Sequence, residues 1–485
     1  MTANPLAPFS SLYLNIMKPL VLVGCFLLGW LNGFTKTFVV NPAGTYKTPQ
    51  AVRSLVQDGD TVYITVATYS NHPQVYFTKN NLFISGLNGR PRIEGGAKLA
   101  SNRNGKALFV ISGSNCLVEN IEFANAAVPD LNGAGIRQEG CDLRVQYCRF
   151  IGNQMGILGG NYSDCTVTIE HCIFTNNGSP SNPGFQHNVY INHIDTLIFQ
   201  YNYTVNAIAQ GHELKSRAHF NLIRYNYIGN LSSNDSRNID LPNGGTTVLV
   251  GNIIEQSESS VNSNLVGYGL EGLTNKKPHN LWIINNTFVN RKSKGSFVQV
   301  KTNTDSLYLK NNIMVGQKTG GLLIGSPTFL DSSNNIIDDQ ISAAGFENAA
   351  LGNYHLAKTS VCINRGTSDL PSVVYTLKPT KAYNDTASFG ERKVFGVIDI
   401  GAYEFSGRAS SHELTQPTPL VYPNPVTNLI LNFDDGRVTP FQLLTLDGTS
   451  IFDGNFVDGR TTLSGVRTGL YILILEETRQ FLVVQ

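Results

Sequence analysis

Two short stretches, QYNYT (Gln200–Thr204) and RYNYI (Arg224–Ile228), decide the fold. Each places an Asn after a Tyr inside an apolar frame, and the same frame recurs along the chain with Asn or Cys as its anchor residue. The anchors are Asn120, Cys148, Cys172, Asn202, Asn226, Asn252, Asn286, Asn312 and Asn335. They follow one another at intervals of 23 to 34 residues. Self-similarity at such a period predicts a solenoid or a propeller.

Each period holds two or three short strand patterns with polar turns and almost no helical periodicity. One turn of a parallel β-helix has about this length, and a solenoid tolerates turns of variable length on its surface. Asn accepts the left-handed backbone conformation of a sharp bend, and stacked Asn amides can hydrogen-bond from coil to coil. The sequence therefore predicts an all-β parallel β-helix.

The N-terminal residues predict a secretory signal over residues 1–34. Lys18 precedes the apolar run Pro19–Leu31, which is too short to span a bilayer comfortably. Leu22–Cys25 also resembles a lipoprotein cleavage box, but the apolar run continues beyond Cys25. We expect a secreted or outer-surface protein, and no later segment is long and apolar enough to cross a membrane.

A short capping helix is predicted just after the signal. Thr48 can cap it with Pro49 at its first position, and Val52, Leu55 and Val56 form one apolar face. We expect this helix to cover the open end of the first coil.

The cysteines are spaced like the repeat. Cys116, Cys141 and Cys165 are 25 and 24 residues apart, and Cys148 and Cys172 are 24 apart. Disulfides are possible in an exported protein, but the spacing favours small apolar residues stacked at equivalent positions of the coils. No set of Cys and His has zinc-ligand spacing.

Residues 37–405 resemble the pectate-lyase-like superfamily of right-handed parallel β-helix proteins. The ending, SVCINRG (Ser360–Gly366) and DIGAYEF (Asp399–Phe405), resembles the terminal segment of secreted β-helix proteins. The resemblance implies a right-handed β-helix domain, with its capping helix, over residues 35–405. We expect its terminal segment to cover the exposed edge of the last coil.

The C-terminal part changes character. Residues 406–419 are rich in Ser and Pro and predict a linker. Residues 420–485 alternate strand and turn, which predicts a small antiparallel β-sandwich. The VYPNP opening (Val421–Pro425), LLTLDG and GLYILIL resemble the sorting domain of the type IX secretion system of Bacteroidetes. This resemblance implies the type IX secretion machinery as a partner.

Charge excludes one class of ligand. The formal net charge is +1 and only 15% of residues are charged, so there is no electrostatic case for nucleic acid. We expect a monomer whose partner is a polysaccharide.

Charged residues cluster in three stretches, GHELKSRA (Gly211–Ala218), NIDLPNGG (Asn238–Gly245) and GYGLEG (Gly267–Gly272). We align the three stretches on Leu214, Leu241 and Leu270. If this column of Leu residues faces the core, the charged residues share one outer face. They are Glu213, Lys215, Arg217, Asp240 and Glu271. The alignment stacks Glu213 on Asp240 at about 4.8 Å. Two carboxylates this close cannot both stay ionised without a cation, which could be Lys215, Arg217 or calcium.

Neighbouring polar residues extend this face into a groove suited to an extended chain. The alignment puts Tyr190 in the Glu213 column, Asn192 one coil before Lys215, and His193 and Asn243 beside Ser216. The candidate substrate-binding residues are Tyr190, Asn192, His193, Arg237, Asn243 and Glu271. His212 is predicted to point inward as a packed core residue.

An acidic polysaccharide cut by β-elimination needs its uronate charge neutralised, a base for the C5 proton and an acid for the leaving oxygen. Lys215 is the candidate base, and Arg217 the neutraliser or proton donor. Glu213 and Asp240 form the candidate calcium site. The stretch resembles the chondroitinase B and alginate lyase family, in which a Lys-Ser pair follows acidic calcium ligands. This chain departs from that pattern, with Ile208 and Gln210 at the upstream ligand positions and only Arg237 near the family's next-coil Arg.

Several alternatives stay open. The charged residues fit an ion-pair ladder on a non-catalytic glycan-binding or adhesin-like protein equally well. A glycoside hydrolase could use Glu213 and Asp240, although the Asp clusters typical of β-helix polygalacturonases are missing. A uronan epimerase would use nearly the same groups as a lyase.

Overall fold

The computed structural model describes residues 35–101, 105–229, 232–371, 373–384 and 387–406, and in the C-terminal part 426, 429–432, 439–445, 449–457, 460–475 and 478–484. The predicted signal peptide, all but the first residue of the predicted linker, and the VYPNP motif lie outside these residues. Within them, no helix has both the length and the apolar character needed to cross a membrane.

The described chain forms a parallel β-solenoid, as predicted. Three sheets of 12, 10 and 11 strands run along residues 37–338, and every strand pairs in parallel with its counterparts on neighbouring coils. The first sheet contains Thr37–Val40, Thr61–Thr65, Phe83–Leu87, Leu117–Glu119, Leu143–Gln146, Thr166–Glu170, Thr196–Gln200, Phe220–Arg224, Thr246–Val250, Asn280–Ile284, Ser306–Lys310 and Phe329–Ser333. The second contains Val75–Phe77, Ala107–Ile111, Ala134–Gln138, Met155–Gly159, Val189–Ile191, Leu214–Ser216, Ile239–Leu241, Asn264–Tyr268, Ser296–Val300 and Leu323–Ile324. The third contains Thr68–Tyr69, Arg92–Glu94, Glu122–Ala124, Arg149–Ile151, Ile173–Thr175, Tyr203–Val205, Tyr227–Gly229, Ile253–Gln256, Thr287–Asn290, Ile313–Gly316 and Ile336–Asp338.

Alternate residues of each strand fill the interior of the solenoid. Phe123, Phe150 and Phe174 are fully buried at equivalent positions of successive third-sheet strands. Their rings stack with centroids 5.3 and 4.7 Å apart. Equivalent residues of successive coils therefore stack in columns, which is why the repeat is visible in the sequence.

The predicted asparagine ladder is present. Asn202 donates its backbone N–H and its Nδ2 to Oδ1 of Asn226, at 2.8 and 3.1 Å, and the pattern continues through the later anchors. Those anchors are Asn252, Asn286, Asn312 and Asn335. Each Nδ2 also donates to a backbone carbonyl of the preceding coil, such as Ile169 for Asn202 at 2.9 Å, so every ladder amide before Asn335 joins the coils on both sides of it.

The left-handed residue of the bend was predicted one position too late. Tyr201 and Tyr225, which precede the ladder residues, have φ of 58° and 57°. Asn120 is different, because its own φ is 54°. Glu119 pairs with Gln146, so Asn120 corresponds to Tyr147, the residue before the anchor of the next coil. Asn120 therefore stands outside the ladder. The Asn side chain turns inward to bond, and the residue before it takes the strained backbone.

The helical elements are short. In the described part of the chain they are the 3-10 helices Pro49–Ala51, Ile341–Ala344 and Ala349–Leu351, and one α-helix, Ala97–Ala100. The predicted capping helix is a single turn that begins at Pro49, and Thr48 makes no side-chain capping bond. Val52 and Val56 are buried, whereas Leu55 is 44% exposed. The helix ends at Ala51, so Val52, Leu55 and Val56 lie beyond it and do not form one helical face.

The cysteine prediction was wrong for one pair. Cys141 and Cys165, on adjacent coils with Cα atoms 4.8 Å apart, form a disulfide. Cys116, Cys148 and Cys172 are buried and unpaired, as expected for stacked apolar residues.

The segment after the solenoid folds back along the outer face of the third sheet. It contributes two antiparallel pairs, Phe346–Asn348 with Asn353–Leu356 and Lys381–Asn384 with Ser388–Glu391. Cys362 and Ile400 pack there against third-sheet residues such as Val289. The prediction that this segment covers the last coil was wrong, since Phe329 and Leu330 of that coil stay 50% and 48% exposed.

The described C-terminal residues form antiparallel sheets, as predicted. Ile430–Asn432 pairs with Arg460–Thr462. A second sheet has the order Ser450–Phe456, Thr439–Leu444, Gly469–Leu475 and Thr478–Val484. Phe441, Leu443 and Phe456 are buried in its core.

Candidate functional site on the second sheet

The outer face of the second sheet carries the predicted charged residues. Tyr190 pairs with Lys215, and Lys215 pairs with Asp240, so these three residues form one column across successive coils. The side chain of Lys215 projects outward because the flanking Leu214 and Ser216 are buried.

The predicted alignment of the coils was shifted by two residues. Leu214 pairs with Ile239, not with Leu241. A shift of two residues keeps each side chain on its face of a strand but changes its neighbours. Tyr190 therefore stands beside Lys215 instead of Glu213. Ile191 pairs with Ser216, so the residues that follow them, Asn192 and Arg217, occupy equivalent positions on the two coils.

Glu271 joins the two predicted catalytic residues. Nζ of Lys215 donates to Oε1 of Glu271 at 2.8 Å, and Nη2 of Arg217 donates to Oε2 at 2.6 Å. Partial burial opposes ionisation, but the hydrogen bonds from Lys215 and Arg217 outweigh it and lower the pKa of Glu271. One carboxylate thus bridges two cations on the open face of the sheet.

A tight turn brings Glu271 back over the sheet. Gly269 has φ of 71°, and a Cβ there would lie 2.4 Å from Cδ2 of Leu273, so the turn requires glycine. The backbone N–H of Glu271 then donates to the carbonyl of Pro242 at 3.0 Å. The side chain of Glu271 is still 46% exposed, which leaves it accessible to a competing ligand.

Arg217 holds two further predicted residues. Its Nε donates to the Tyr190 hydroxyl at 3.0 Å, and its Nη1 donates to Oδ1 of Asn243 at 2.6 Å. Nδ2 of Asn243 in turn donates to Oγ1 of Thr274 at 2.7 Å. The guanidinium is therefore fixed by three residues and presents its plane toward the groove beside Tyr190.

Nitrogen atoms surround Asp240. Its carboxylate lies 3.2 Å from Nζ of Lys215, 3.5 Å from Nη1 of Arg237 and 3.6 Å from Nε2 of His212. Arg237 fits because the next coil has Gly267, where a Cβ would lie 2.8 Å from Cδ of Arg237. Asp240 is only 3% exposed, so it orients these cations and is itself shielded from solvent.

Two histidines that the sequence analysis left out of the site lie beside it. The rings of His187 and His212 stack with centroids 5.0 Å apart, and His187 also packs edge-on against Tyr190. His212 is buried and packed, as predicted, but its ring lies beside Asp240 of the outer-facing column and does not point into the interior. Burial lowers the pKa of His212 to about 4, so the ring is neutral at pH 7. Aligning HNVYI with HELKS would have revealed the pair, because each His lies two residues before the first residue of its strand.

Glu213 does not join the outer face. It lies in a bend before the strand, is fully buried, and accepts hydrogen bonds from the Ala207 N–H at 2.7 Å and the Thr204 hydroxyl at 3.1 Å. Burial raises its pKa well above the ordinary value. Strand alternation does not extend into a bend, so the predicted stack of Glu213 on Asp240 does not form.

The residues present do not fit calcium at this position. Calcium prefers six to eight oxygen ligands, whereas Asp240 is surrounded by nitrogen donors and Glu213 faces the interior. Among the described residues, no group of three or more acidic, His or Cys side chains could hold a metal ion. Calcium therefore enters no step of the mechanism below.

Asn192 and His193 stand apart from the network in the described residues. Oδ1 of Asn192 accepts from the backbone N–H of His193 at 2.9 Å, and Nδ1 of His193 is buried without a hydrogen-bond partner there. The network itself contains Lys215, Arg217 and Arg237 against Asp240 and Glu271. Three cations against two carboxylates leave the face with one surplus positive charge.

Comparisons with known proteins agree with the fold. The solved structure of pectate lyase Pel9A matches with a TM-score of 0.51 at 14% identity, covering 76% of this chain and 96% of that one. A pectin methylesterase mutant in complex with a hexasaccharide matches with a TM-score of 0.33 at 10% identity, covering 47% of this chain and 80% of that one. A mutant of the PL6 family alginate lyase AlyGC matches with a TM-score of 0.29 at 14% identity, covering 81% of this chain and 60% of that one. At these identities only the first match bears on the argument, and it shows the fold alone.

No family model matches this sequence. No curated protein matches it either.

Proposed function

We propose that the protein binds an acidic polysaccharide along the outer face of the second sheet and cleaves it by β-elimination. One observation carries the proposal: the carboxylate of Glu271, whose side chain is 46% exposed, bridges Lys215 and Arg217 on the outer face of the second sheet. A uronate carboxylate has the same charge and shape and can take the same two partners. The pectate lyase of similar fold supports a polysaccharide substrate.

The network supplies the groups that β-elimination needs. The substrate carboxylate displaces Glu271 and is neutralised by Arg217, which acidifies the C5 proton. Lys215, after its ammonium has released a proton to solvent, takes the C5 proton on Nζ and becomes an ammonium again. The C5–H electron pair forms the C4=C5 double bond, and the bond from C4 to the glycosidic oxygen breaks.

The leaving oxygen needs a proton from the protein. The Tyr190 oxygen accepts from Nε of Arg217 at 3.0 Å, so its own O–H remains for donation. Tyr190 therefore protonates the departing sugar while Arg217 neutralises the uronate, and Asp240 orients Lys215 from the next coil at 3.2 Å.

A second function, non-catalytic glycan binding, rests on a different observation. The ammonium of Lys215 contacts two carboxylates, Asp240 and Glu271. A lysine paired in this way is an ammonium, which has no lone pair for the C5 proton until it has lost a proton of its own. If substrate binding leaves both contacts in place, the face recognises an acidic chain without cutting it.

Absorbance near 232 nm tests the proposal, because β-elimination creates an unsaturated uronate. Wild type, Lys215→Ala and the control Lys318→Ala are mixed with a panel of uronic-acid polysaccharides, with and without calcium. Lys318 is a suitable control because it is an ion-paired lysine away from this face. We expect a signal from wild type and Lys318→Ala that is lost in Lys215→Ala.

The other outcomes are informative. No signal on any substrate, with saturable binding of one of them, would support the non-catalytic function. New reducing ends without absorbance would identify a hydrolase, and an altered uronate composition without chain cleavage an epimerase. An undiminished signal from Lys215→Ala would refute the assignment of the base.

Export is a further part of the proposal. We propose that residues 1–34 act as a signal peptide and residues 420–485 as a type IX sorting domain, placing the β-helix outside the cell. This assignment rests on the VYPNP, LLTLDG and GLYILIL motifs of the sequence. Deleting residues 420–485 in a host with that secretion system should trap the β-helix inside the cell envelope. Unchanged extracellular yield would contradict the sorting role.

A further inference from the structure

A cavity of about 270 Å³ lies away from the second sheet, at the turn between the first and third sheets. Its walls include Arg90, Arg149, Tyr147, His171 and Phe389. Tyr147 stands in that turn, because Gln146 ends a first-sheet strand and Arg149 begins a third-sheet strand. The cavity is therefore separate from the network of Lys215, Arg217 and Glu271 on the second sheet, which we call the Lys215 site.

The two arginines present unused hydrogen-bond donors. The Nε atoms of Arg90 and Arg149 are both buried and have no hydrogen-bond partner among the described residues. Buried polar atoms are almost always paired. Two such atoms on neighbouring cations point to a missing acceptor.

The carboxylate nearest to Arg149 is already engaged. Oε2 of Glu122 lies 3.9 Å from Nη1 of Arg149, while Oε1 of Glu122 accepts from Arg92. Arg90 donates one bond, from Nη2 to the carbonyl of Tyr147 at 3.0 Å. Burial and then the charge of Arg149 lower the pKa of Arg90, which agrees with two guanidiniums held close together. An added anion would relieve this repulsion.

An aromatic ladder forms the adjoining wall. Tyr147 stacks on His171 with centroids 4.7 Å apart, and His171 stacks on Tyr201 at 5.0 Å. The preceding coil has Asn120 at the equivalent position, so the ladder of rings begins at Tyr147. Tyr147 is 50% exposed, which leaves ring surface for a ligand.

We propose that this cavity binds one acidic sugar unit, with its carboxylate between Arg90 and Arg149 and its ring against Tyr147. Guanidinium groups match carboxylate geometry, and the apolar face of a sugar ring can pack on an aromatic ring. Aromatic walls with a few placed polar groups are typical of small-ligand sites. Such a site would anchor a polysaccharide on a second face of the solenoid, whether or not the Lys215 site is catalytic.

Ligand-observed NMR titrations test the site with three probes: galacturonate, galactose and inorganic phosphate. The background is the Lys215→Ala/Arg217→Gln double variant, so that the second-sheet face does not contribute. We expect saturable binding of galacturonate and at least tenfold weaker binding of galactose and of phosphate. Failure of the proposed β-elimination would leave this result unchanged.

Variants in the same background locate the binding. Arg149→Gln and Tyr147→Ala should each weaken galacturonate binding about tenfold. Arg144→Gln is the matched control, because Arg144 is an arginine 54% exposed that pairs with Glu170 within the first sheet and does not line the cavity. Equal binding of galactose, phosphate as tight as galacturonate, or full affinity in Arg149→Gln at an unchanged melting temperature would each overturn the proposal.

Discussion

Nζ of Lys215 donates to Oε1 of Glu271 at 2.8 Å, although 56 residues separate them in the chain. The contact exists because the turn after Tyr268 folds back across two coils of the second sheet. It places a carboxylate of the protein where, under the proposed function, a uronate of the substrate would bind. In the free protein, the cations of the face are therefore already occupied by an internal competitor.

Replacing Glu271 with Gln should strengthen the binding of an acidic polysaccharide. The amide keeps the size of the side chain but removes the charge that competes for Lys215 and Arg217. A partly exposed ion pair of this kind contributes roughly 1 kcal/mol, so we expect the dissociation constant to fall about fivefold. Titration of an acidic oligosaccharide at low salt measures the change.

Asp339→Asn is the matched control, since Asp339 is an exposed carboxylate paired with Lys318. It should leave the affinity unchanged. Weaker binding in Glu271→Gln would mean that Glu271 contacts the substrate directly and does not compete with it.

The asparagine ladder predicts a gradient of stability along the solenoid. Asn226→Ala leaves the buried N–H of Asn202 and its Nδ2 without their shared acceptor, and it removes bonds to Asn252 and Phe199. Unsatisfied buried groups cost roughly 1 to 3 kcal/mol each. We expect a clear fall in the melting temperature.

Asn335→Ala is the comparison, because Asn335 ends the ladder and is only partly buried. Its melting temperature should fall less than that of Asn226→Ala. Equal losses in the two variants would show that the ladder position does not matter.

The ladder also shows what the sequence could predict. Nine similar frames sufficed for the solenoid, because equivalent residues stack and must therefore be of similar type. The bend residue was missed because Tyr201 and Tyr225 are not typical left-handed residues, and their strain is visible only in the backbone. The Cys141–Cys165 disulfide was missed because stacking and cross-linking require the same spacing.

Glu213 should make stability depend on pH. Burial, followed by the charge of Asp235, raises its pKa in the folded state well above the ordinary value of 4.5. Above that ordinary value the unfolded state has lost its proton while the folded state keeps it. The free energy of unfolding therefore falls as pH rises from about 4.5 toward the folded pKa.

Glu213→Gln removes this ionisation and should flatten that decline. Denaturant unfolding at several pH values between 4.5 and 8 compares the two proteins. A parallel pH dependence in wild type and variant would show that Glu213 is not the responsible group.

The disulfide should stabilise the solenoid locally. It closes a loop between residues 24 apart, and a loop of this length is worth roughly 3 kcal/mol in the chain-entropy account. Cys141→Ala/Cys165→Ala should melt at a lower temperature than wild type. A reductant should lower the melting temperature of wild type but not of the variant, and an unresponsive wild type would argue against the bond.

The candidate site was predictable in composition but not in arrangement. Lys215, Arg217 and Asp240 were identified from charge clustering and do come together. The shift of two residues was invisible because both alignments keep Leu or Ile facing the core. Glu213 was misplaced for a physical reason, since the alternation rule holds only inside a strand and this residue precedes one. Glu271 was also identified from charge clustering, but the alignment treated it as part of a strand, whereas the strand ends at Tyr268 and Glu271 reaches Lys215 and Arg217 from the turn that follows.

The most direct test of the central claim is a crystal structure of Lys215→Gln bound to an acidic oligosaccharide. The account predicts a sugar carboxylate within hydrogen-bond distance of Arg217, with Glu271 displaced and the chain running across the second sheet near Tyr190. An oligosaccharide bound elsewhere, with the Arg217–Glu271 pair intact, would contradict it.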